Sequence, residues 1–515
     1  MDATRSTDLM DSPFREHFDT NYIPSDAEIE RIRAHLVPHE GELTRLESLI
    51  HVLIAQRDQI RDYIKPHRAL ISHPRRMPRE IVEEIFHHCV PIRHNAVMRS
   101  AEAPLLLGRI CSSWRSITFS TPRLWASLHI PTNFIGHSGE RKAALVDWLE
   151  RSAQLPLSLS VICFWDDFPE LNPLLQVSTR WHSLDIYISR SKNLLQLAAV
   201  DAPMLRNLQI IFPHGFETPQ DAPQVLSSNL IRRMKSGRVT IVASELNALV
   251  PKEPFAWDHL TDLSLKGQYS HIFLESGTAY KLLKGCPHLM SLKVHIRCSV
   301  GDHKLLLLPA LESLIIADSS PTDALQSFFK QLIMPALTRF HLTIHYSSPA
   351  SALPPAFFER LAERSPLISD LDIDVFDSMR NSIVPTLQLF PRLAILKLAA
   401  RYVHCSDAEQ HLLEPNAAKL LAFLAPDTSG RSPCSELKSV IVESHSVDTD
   451  VLVDFLQKQL DCGTNLRRFE LHSRTVLPHI LPDIKFAADR GLVVALKYKP
   501  VDKGPKSTPW EGIQR

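Results

Sequence analysis

PHLMSLKV at residues 287–294 is the clearest copy of the phrase that decides the fold of this chain. It begins with a proline, places two leucines three residues apart, and ends in the alternation Leu292, Lys293, Val294. Alternation of apolar and polar residues is typical of a β-strand that buries one face. Similar phrases, each opened by a proline or a tryptophan, begin at Trp181, Pro203, Trp257, Pro309, Pro335, Pro366 and Pro391, and looser copies occupy residues 434–442 and 464–471.

The spacing of these copies indicates a repeat architecture. Between equivalent apolar residues, from Leu184 to Phe469, most steps are 22 to 31 residues, close to the roughly 20–29 residues of a leucine-rich repeat. The longest gap, between Leu208 and Leu263, divides in two if residues 238–242 are a degenerate copy. Stretches with helical character lie between copies, at residues 356–364, 417–424 and 451–460.

A single strand–helix unit cannot bury its own apolar face, but stacked units form one continuous core. We therefore predict an α/β fold in which a short helical module is followed by an irregular leucine-rich-repeat-like solenoid over residues 166–498. The solenoid is predicted to be curved, with a parallel sheet on one side, and residues 131–165 to form a linker and the first strand. A generic α/β domain with leucine-rich strands is the alternative.

Alternation also predicts which strand side chains leave the core. Exposed solenoid faces commonly bind partners, so the polar residues at these positions are candidates to face a protein substrate: Lys266, Lys293, His295, Arg339, His341, Asp370, Asp372, Asp374, Lys397 and Arg401. Each of them could instead be a solvated surface charge. The three aspartates could attract a basic peptide, bind a cation weakly, or pair with Arg339 and Lys397 on neighbouring strands, and we favour the pairing.

The N-terminal region is predicted to have two parts. Residues 1–40 are polar, contain Pro24 and Pro38, and are expected to be irregular and mobile. Residues 41–66 are expected to form an amphipathic helix that Pro66 ends. Its apolar side follows heptad spacing through Leu43, Leu46, Ile50, Leu53, Arg57, Ile60 and Ile64. This seam either packs on the module that follows, the favoured interpretation, or pairs with another chain.

Residues 72–130 are predicted to be a small helical module of three pieces. The first, MPREIVEEIF at 77–86, has Pro78 at a helix start and an apolar face that includes Ile81, Val82 and Ile85. The second is APLLLGRICSSWRSI at 103–117, and the third is STPRLWASLHI at 120–130. Three helices this short bury little surface, so their remaining apolar residues are candidates for an interface.

The order of these pieces resembles the F-box domain, particularly its fungal type. The matching segments are residues 77–86, ICSSWRSI at 110–117 and STPRLW at 120–125. The resemblance covers residues 72–130 closely and 145–165 more loosely. Met77 stands where leucine is usual, and the loop at 92–102 is rather long; both departures are tolerable because methionine adapts to apolar grooves and loop length costs little.

This resemblance implies a function. An F-box docks on the Skp adaptor subunit of an SCF (Skp–cullin–F-box) ubiquitin ligase, while the C-terminal repeats choose a protein substrate. By motif position, the residues at or beneath the docking face would be Met77, Pro78, Ile81, Val82, Ile85, Ile110 and Trp114. The alternative is a non-catalytic interaction scaffold that acts outside a ligase.

Other function classes find little support in the sequence. The 57 basic and 57 acidic side chains cancel, which gives no electrostatic reason to expect binding to nucleic acid or membranes. The eight cysteines include no C-x-x-C pair, so we expect reduced thiols in the cytoplasm or nucleus and no metal site. No nucleotide, nucleophile or metalloprotease motif is present. We expect no enzyme activity, no cofactor, no secretory signal, and a disordered tail at 499–515.

Overall fold

The protein is described by a computed structural model that covers residues 12–71, 73–131, 138–163, 171–189, 191–212, 218, 222–223, 228–234, 237–250, 257–269, 271–301, 304–318, 320, 322–344, 354–374, 384–399, 417–427, 429–443, 449–473 and 481–498. The chain divides into two compact units, Met1–Val82 and Glu83–Arg515. The boundary between the units falls within one short helix, Arg79–Cys89. Within the described residues, no helix is both long enough and apolar enough to cross a membrane.

The first unit is built around one long helix, α1, at Asp26–Leu70. Ser25 caps its N-terminus, where the backbone N–H of Ser25 donates to the Glu28 carboxylate at 2.9 Å. A short helix, α2 (His73–Arg76), and the start of α3 (Arg79–Cys89) follow. The described residues before α1 contain a 3-10 turn at Arg15–His17.

Helix α1 corrects the prediction made for residues 1–66. It begins at Asp26, inside the segment predicted to be irregular, and continues past Pro66 to Leu70, so the predicted helix at 41–66 was too short. A proline removes one backbone hydrogen bond from a helix. The helix nevertheless continues across Pro38 and Pro66, because strong helix formers lie on both sides of them. No residue of α1 is buried.

The second unit begins with the rest of the helical module. After α3 come a 3-10 turn at Leu107–Arg109, helix α4 at Ser112–Phe119 and a 3-10 turn at Pro122–Trp125. Trp125 and Trp148 form the centre of its core: their rings meet edge to face with centroids 4.7 Å apart. The indole N–H of Trp148 donates to the Trp125 carbonyl oxygen at 3.0 Å. The first strand of the sheet follows directly at Ser127–Ile130, inside the segment predicted to be helical.

Parallel strands follow one another through the rest of this unit. They are β1 (Ser127–Ile130), β2 (Leu157–Cys163), β3 (Trp181–Ile188), β4 (Asn207–Ile211), β5 (Gly237–Ala243), β6 (Leu260–Gly267), β7 (Leu274–Glu275), β8 (Ser291–Arg297), β9 (Leu306–Leu307), β10 (Ser313–Asp318), β11 (Leu332–Ile333), β12 (Arg339–Ile344), β13 (Asp370–Asp374), β14 (Ile395–Ala399), β15 (Ser439–Glu443), β16 (Arg468–Ser473) and β17 (Val493–Tyr498). Strands β1 to β17 pair in chain order in one sheet, except that β7 pairs only with β8 and that β9 pairs with β11 in a separate two-stranded sheet.

Helices alternate with these strands. They are α5 (Ser138–Arg151), α6 (Leu171–Gln176), α7 (Ser191–Ala198), α8 (Asn229–Arg232), α9 (Ser276–Lys284), α10 (Thr322–Phe329), α11 (Pro355–Arg364), α12 (Ala417–Leu424), α13 (Thr449–Asp461) and α14 (Leu481–Asp489), with 3-10 turns at Ser178–Arg180, Asn247–Leu249 and Val384–Leu389. The three helical stretches predicted between copies of the phrase are therefore confirmed. So is the fold class, a helical N-terminal segment followed by a long parallel sheet of strand–helix repeats.

One row of buried apolar residues runs through the sheet from strand to strand. The equivalent residues of the repeated phrase pair directly in register, as in Leu292 with Leu314 and Phe340 with Leu371. Val239 occupies the same row between Leu208 and Leu263, so residues 238–242 are indeed a degenerate copy. The buried members of the row are Leu128, Leu159, Leu184, Leu208, Val239, Leu263, Leu292, Leu314, Phe340, Leu371, Leu396, Val440 and Phe469. Half-buried Val494 continues the row at β17.

Helices cover this apolar face of the sheet. Phe329 of α10 packs edge to face on Phe340 of β12, with ring centroids 5.7 Å apart. Phe455 of α13 lies against Phe469 of β16 at 5.8 Å. Because successive strand residues point to opposite faces, the residues between these positions lie on the opposite face of the sheet. At β1 to β3 that face is buried as well, for example at His129, Ser160 and Asp185. From β6 to β16 many of its residues are partly exposed, and we call this stretch the uncovered face.

The buried row predicts a strong dependence of stability on its members. Leu396→Ala removes a fully buried side chain and should lower the free energy of unfolding by about 3 kcal/mol through lost burial and a residual cavity. Leu389→Ala, the matched control at a partly exposed leucine in the preceding 3-10 turn, should cost less than half of that. Urea titration followed by circular dichroism measures both, and equal effects would contradict the assignment of the row.

Candidate functional site

The helical module of the second unit keeps large aliphatic side chains on its surface. Leu106 and Ile110 flank the 3-10 turn, have helical backbone angles and are both exposed. Ile85 of α3 is also exposed, whereas its neighbour Phe86 is fully buried. The module therefore has an aromatic core and an aliphatic surface, which is the division expected of a small domain with a docking face.

Trp114 connects that core to the surface. It is half-buried, and its ring meets Phe86 edge to face with centroids 4.9 Å apart. The thiol of Cys111 caps α4 by accepting the Trp114 backbone N–H at 3.5 Å. The side chain of Arg115 holds the preceding turn, donating from Nε to the Gly108 carbonyl oxygen at 2.8 Å. These contacts hold Trp114 in place at the edge of the core.

The other four residues of the predicted adaptor-binding set lie in the first unit. Pro78 and Ile81 are exposed, and Met77 is half-buried. Val82 is buried, so it could act only from beneath a surface. Its backbone N–H donates to the Pro78 carbonyl oxygen at 3.2 Å, which closes the first turn of α3. The adaptor-binding role of all seven residues stays a prediction.

The aspartates of β13 pair with cations on the two neighbouring strands. Arg339 Nε donates to Asp370 Oδ2 at 2.8 Å. Lys397 Nζ lies 2.8 Å from Asp372 Oδ2, and His341 Nδ1 lies 3.4 Å from the same oxygen. The favoured interpretation, pairing with Arg339 and Lys397, is confirmed for Asp370 and Asp372. Within the described residues, no three His, Cys, Asp or Glu side chains are grouped so that they could hold a metal ion.

Two predicted substrate-facing positions lie outside this description. Arg401 is not among the described residues, and the side chain of Asp374 is not described either.

Lys266 and Lys293 form no ion pair with the described residues of this face. In register, Lys293 lies between Ser264 and Ile315, which are both neutral. Among the described residues, neither ammonium group has a hydrogen-bond or ion-pair partner. Burial and the nearby charge of Lys293 lower the pKa of Lys266. Two half-buried cations without an anion form the part of the sheet best suited to receive an anionic group.

A cavity of about 320 Å³ has Lys293, His295, His341 and Thr343 in its lining, together with Gly267, the residue that follows Lys266. Tyr269, in the turn that follows β6, closes another side. Sequence reasoning missed this turn, although Gly267 signals it: a Cβ at that position would meet the carbonyl oxygen of Ile272, so only glycine fits. Three predicted substrate-facing residues, Lys293, His295 and His341, are thus brought to one cavity.

Sequence reasoning also missed the environment of Glu470. Alternation places it on the uncovered face, yet the residue is only 2% exposed because Arg468, His472 and Lys497 surround it. Lys497 Nζ lies at 2.7 Å and His472 Nε2 at 2.9 Å from its Oε2, and Arg468 contacts Oε1. Burial opposes ionisation of this carboxyl, but the hydrogen bonds from Lys497, His472 and Arg468 outweigh it and lower the pKa of Glu470 to about 2.

Comparisons with known proteins do not identify a family. No protein-family model matches the chain, and no curated protein matches it. Among solved structures, a chain in the crystal structure of the yeast Rad7 and Elc1 complex is 12% identical; the match covers 91% of this chain and 97% of that one, with a TM-score of 0.34. A Bacteroides fragilis protein is 11% identical, with coverage of 73% and 75% and a TM-score of 0.23. TM-scores this low support no inference about function.

The Glu470 cluster predicts a pH dependence of stability. Because the folded-state pKa lies below the unfolded value, the ionised carboxylate stabilises the fold above about pH 4.5, and this contribution is lost as the pH falls toward 2. Glu470→Gln should lower the free energy of unfolding at pH 7 by roughly 2 kcal/mol, and the deficit should shrink below pH 4.5. Glu363→Gln, at an exposed residue of α11, should change little. A deficit that did not vary between pH 7 and pH 3 in urea titrations would contradict the assignment.

Proposed function

We propose that this chain is the substrate-recognition adaptor of an SCF-type E3 ubiquitin ligase. Its helical module would dock on a Skp-type adaptor that is bound to a cullin, and the uncovered face of its sheet would bind a protein substrate. The chain itself would contribute binding rather than catalysis and would act in the cytoplasm, the nucleus or both. The observation that carries the proposal is the set of exposed aliphatic residues, Ile85, Leu106 and Ile110, on the module whose sequence resembles an F-box.

These side chains are only partly covered within the module. Phe86, Leu124 and Trp125 fill its core and are fully buried, whereas Ile85, Leu106 and Ile110 are 40%, 43% and 56% exposed. Burying their exposed parts would contribute about 1 kcal/mol each. A partner with an apolar groove would recover that free energy. Trp114 would stabilise the docked state from the edge of the core, since aromatic residues of this kind often dominate interface energies.

The uncovered face of the sheet supports the second half of the proposal. Its charges are neutralised at β12 to β14 and around Glu470. Among the residues that the structure describes, none forms an ion pair with Lys266 or with Lys293, which lines the cavity. A substrate segment carrying an anionic group could form ion pairs with these two lysines. The paired residues would first have to break the ion pairs they already make. We therefore expect substrate binding to centre on β6, β8 and β10 rather than on the aspartates.

Adaptor binding tests the first half. Ile85→Asp and Ile110→Asp should each weaken capture of a purified Skp-type adaptor at least tenfold, which corresponds to about 1.4 kcal/mol. Ile92→Asp is the matched control, because Ile92 is also exposed but lies outside the matched motif segments; it should bind normally. Circular dichroism must show that all three variants fold. No adaptor binding by the wild-type chain would overturn the proposal.

The same pull-down distinguishes the two functional classes. Cullin and RING subunits recovered together with the adaptor would support a ligase receptor. Recovery of the adaptor alone, from cells that contain assembled ligases, would favour a scaffold that acts outside a ligase.

Substrate capture tests the second half. The double variant Lys266→Gln with Lys293→Gln should lose proteins that co-purify with the wild-type chain while keeping the adaptor, because it removes both uncompensated cations. The double variant Lys284→Gln with Lys438→Gln removes two exposed lysines elsewhere and should retain them. Quantitative mass spectrometry of the captured proteins measures the difference, and an identical set for all three chains would contradict the assignment of this site.

A further inference from the structure

Helix α1 carries a longer apolar seam than its sequence suggested. Because the helix begins at Asp26, the heptad spacing extends from the predicted seam back through Leu36, Ile32 and Ile29. At least Leu36, Leu43, Leu46, Ile50, Leu53, Ile60 and Ile64 are exposed, and none of the seam is buried. A helix in water obtains most of its stability from packing of an apolar face, and sustained heptads are the pattern of a helix that pairs with another helix.

The polar positions of the seam indicate which helix that is. The seam positions run from Ile29 to His67 in alternating steps of three and four residues. All of them are apolar except His39, Arg57 and His67. In an antiparallel pair centred near Ser48, residue 39 of one helix faces residue 57 of the other. The seam then matches itself: the facing positions are Ile32 with Ile64, Leu36 with Ile60, His39 with Arg57, Leu43 with Leu53, and Leu46 with Ile50. Only the outermost layer, Ile29 with His67, is mixed.

We propose that α1 forms an antiparallel coiled coil with α1 of a second copy of this chain. The His39–Arg57 layer fits this arrangement chemically. Nδ1 of His39 lies 3.0 Å from the His35 carbonyl oxygen, and since a carbonyl oxygen only accepts, Nδ1 carries the proton. In the neutral tautomer with this proton, Nε2 is a hydrogen-bond acceptor, and a guanidinium group, which only donates, would complement it. Glu40 and Arg61 occupy the flanking e positions, which face each other in an antiparallel pair, and have opposite charges.

A parallel pair of the same helices is disfavoured. It would stack Arg57 on Arg57 and His39 on His39 in the apolar seam, leaving like charges and unmatched acceptors there. It would also bring Glu42 of one helix opposite Glu47 of the other, five residues further along, which is repulsive. The antiparallel register avoids all three contacts.

Analytical ultracentrifugation of the full chain tests the pairing. The wild-type chain should sediment as a dimer at micromolar concentration. Leu46→Asp damages two layers of the symmetric pair, since Leu46 faces Ile50 on both sides of the centre, and should raise the dissociation constant about 100-fold or more. Val52→Asp is the matched control, because Val52 is similarly exposed on α1 but lies off the seam; it should remain a dimer. A monomeric wild-type chain, or equal dissociation by both variants, would overturn the proposal.

Cysteine cross-linking tests the orientation. Chains with Leu36→Cys mixed with chains with Ile60→Cys should form a disulfide between residues 36 and 60. Ile60→Cys chains alone should not link through that residue, because the two copies of residue 60 would lie about 36 Å apart, 24 residues at about 1.5 Å each. Peptide mass spectrometry separates these links from any made by the exposed Cys89, Cys111 and Cys462. A link between two copies of residue 60 would overturn the antiparallel arrangement.

Discussion

The fold of the second unit depends on one constraint: a strand that is apolar on one face must be covered, and a single strand–helix repeat cannot cover itself. Each repeat therefore sets its central apolar residue directly beside that of the next, from Leu128 in β1 to Val494 in β17. A shift of one residue would turn every such side chain into water. The row thus fixes the register of the sheet, and with it the position of each polar residue on the opposite face.

That register decides which charges neutralise one another. Asp372 meets Lys397 because their strands are adjacent and in step, whereas Lys293 meets only Ser264 and Ile315 on either side. Whether a charge on this face forms an ion pair therefore depends on which residues lie beside it on the neighbouring strands. Binding specificity on such a surface is set by the core beneath it.

Local patterns predicted much of this structure, and long-range contacts explain what they missed. The alternation Leu371, Asp372, Ile373 indicated both the strand and its outward aspartate, because a period of two is a local property. The burial of Glu470 depends on Lys497 from β17, a strand without the repeated phrase. In the module, the motif named Ile85 and Ile110 as surface candidates, but only packing separates them from buried Val82. Pro38 indicated irregular structure and Pro66 a helix end, two local rules that the helix formers around these prolines override.

Trp125 and Trp148 have a consequence for how such a chain can be divided. Trp125 ends the helical module and Trp148 belongs to α5, between the first two strands, yet their rings and a hydrogen bond join them in one buried core. A cut or a recombination junction between residues 131 and 137 would leave an indole exposed on each fragment. The helical module therefore cannot be transferred to another protein by itself. A functional exchange must include the first strand and α5.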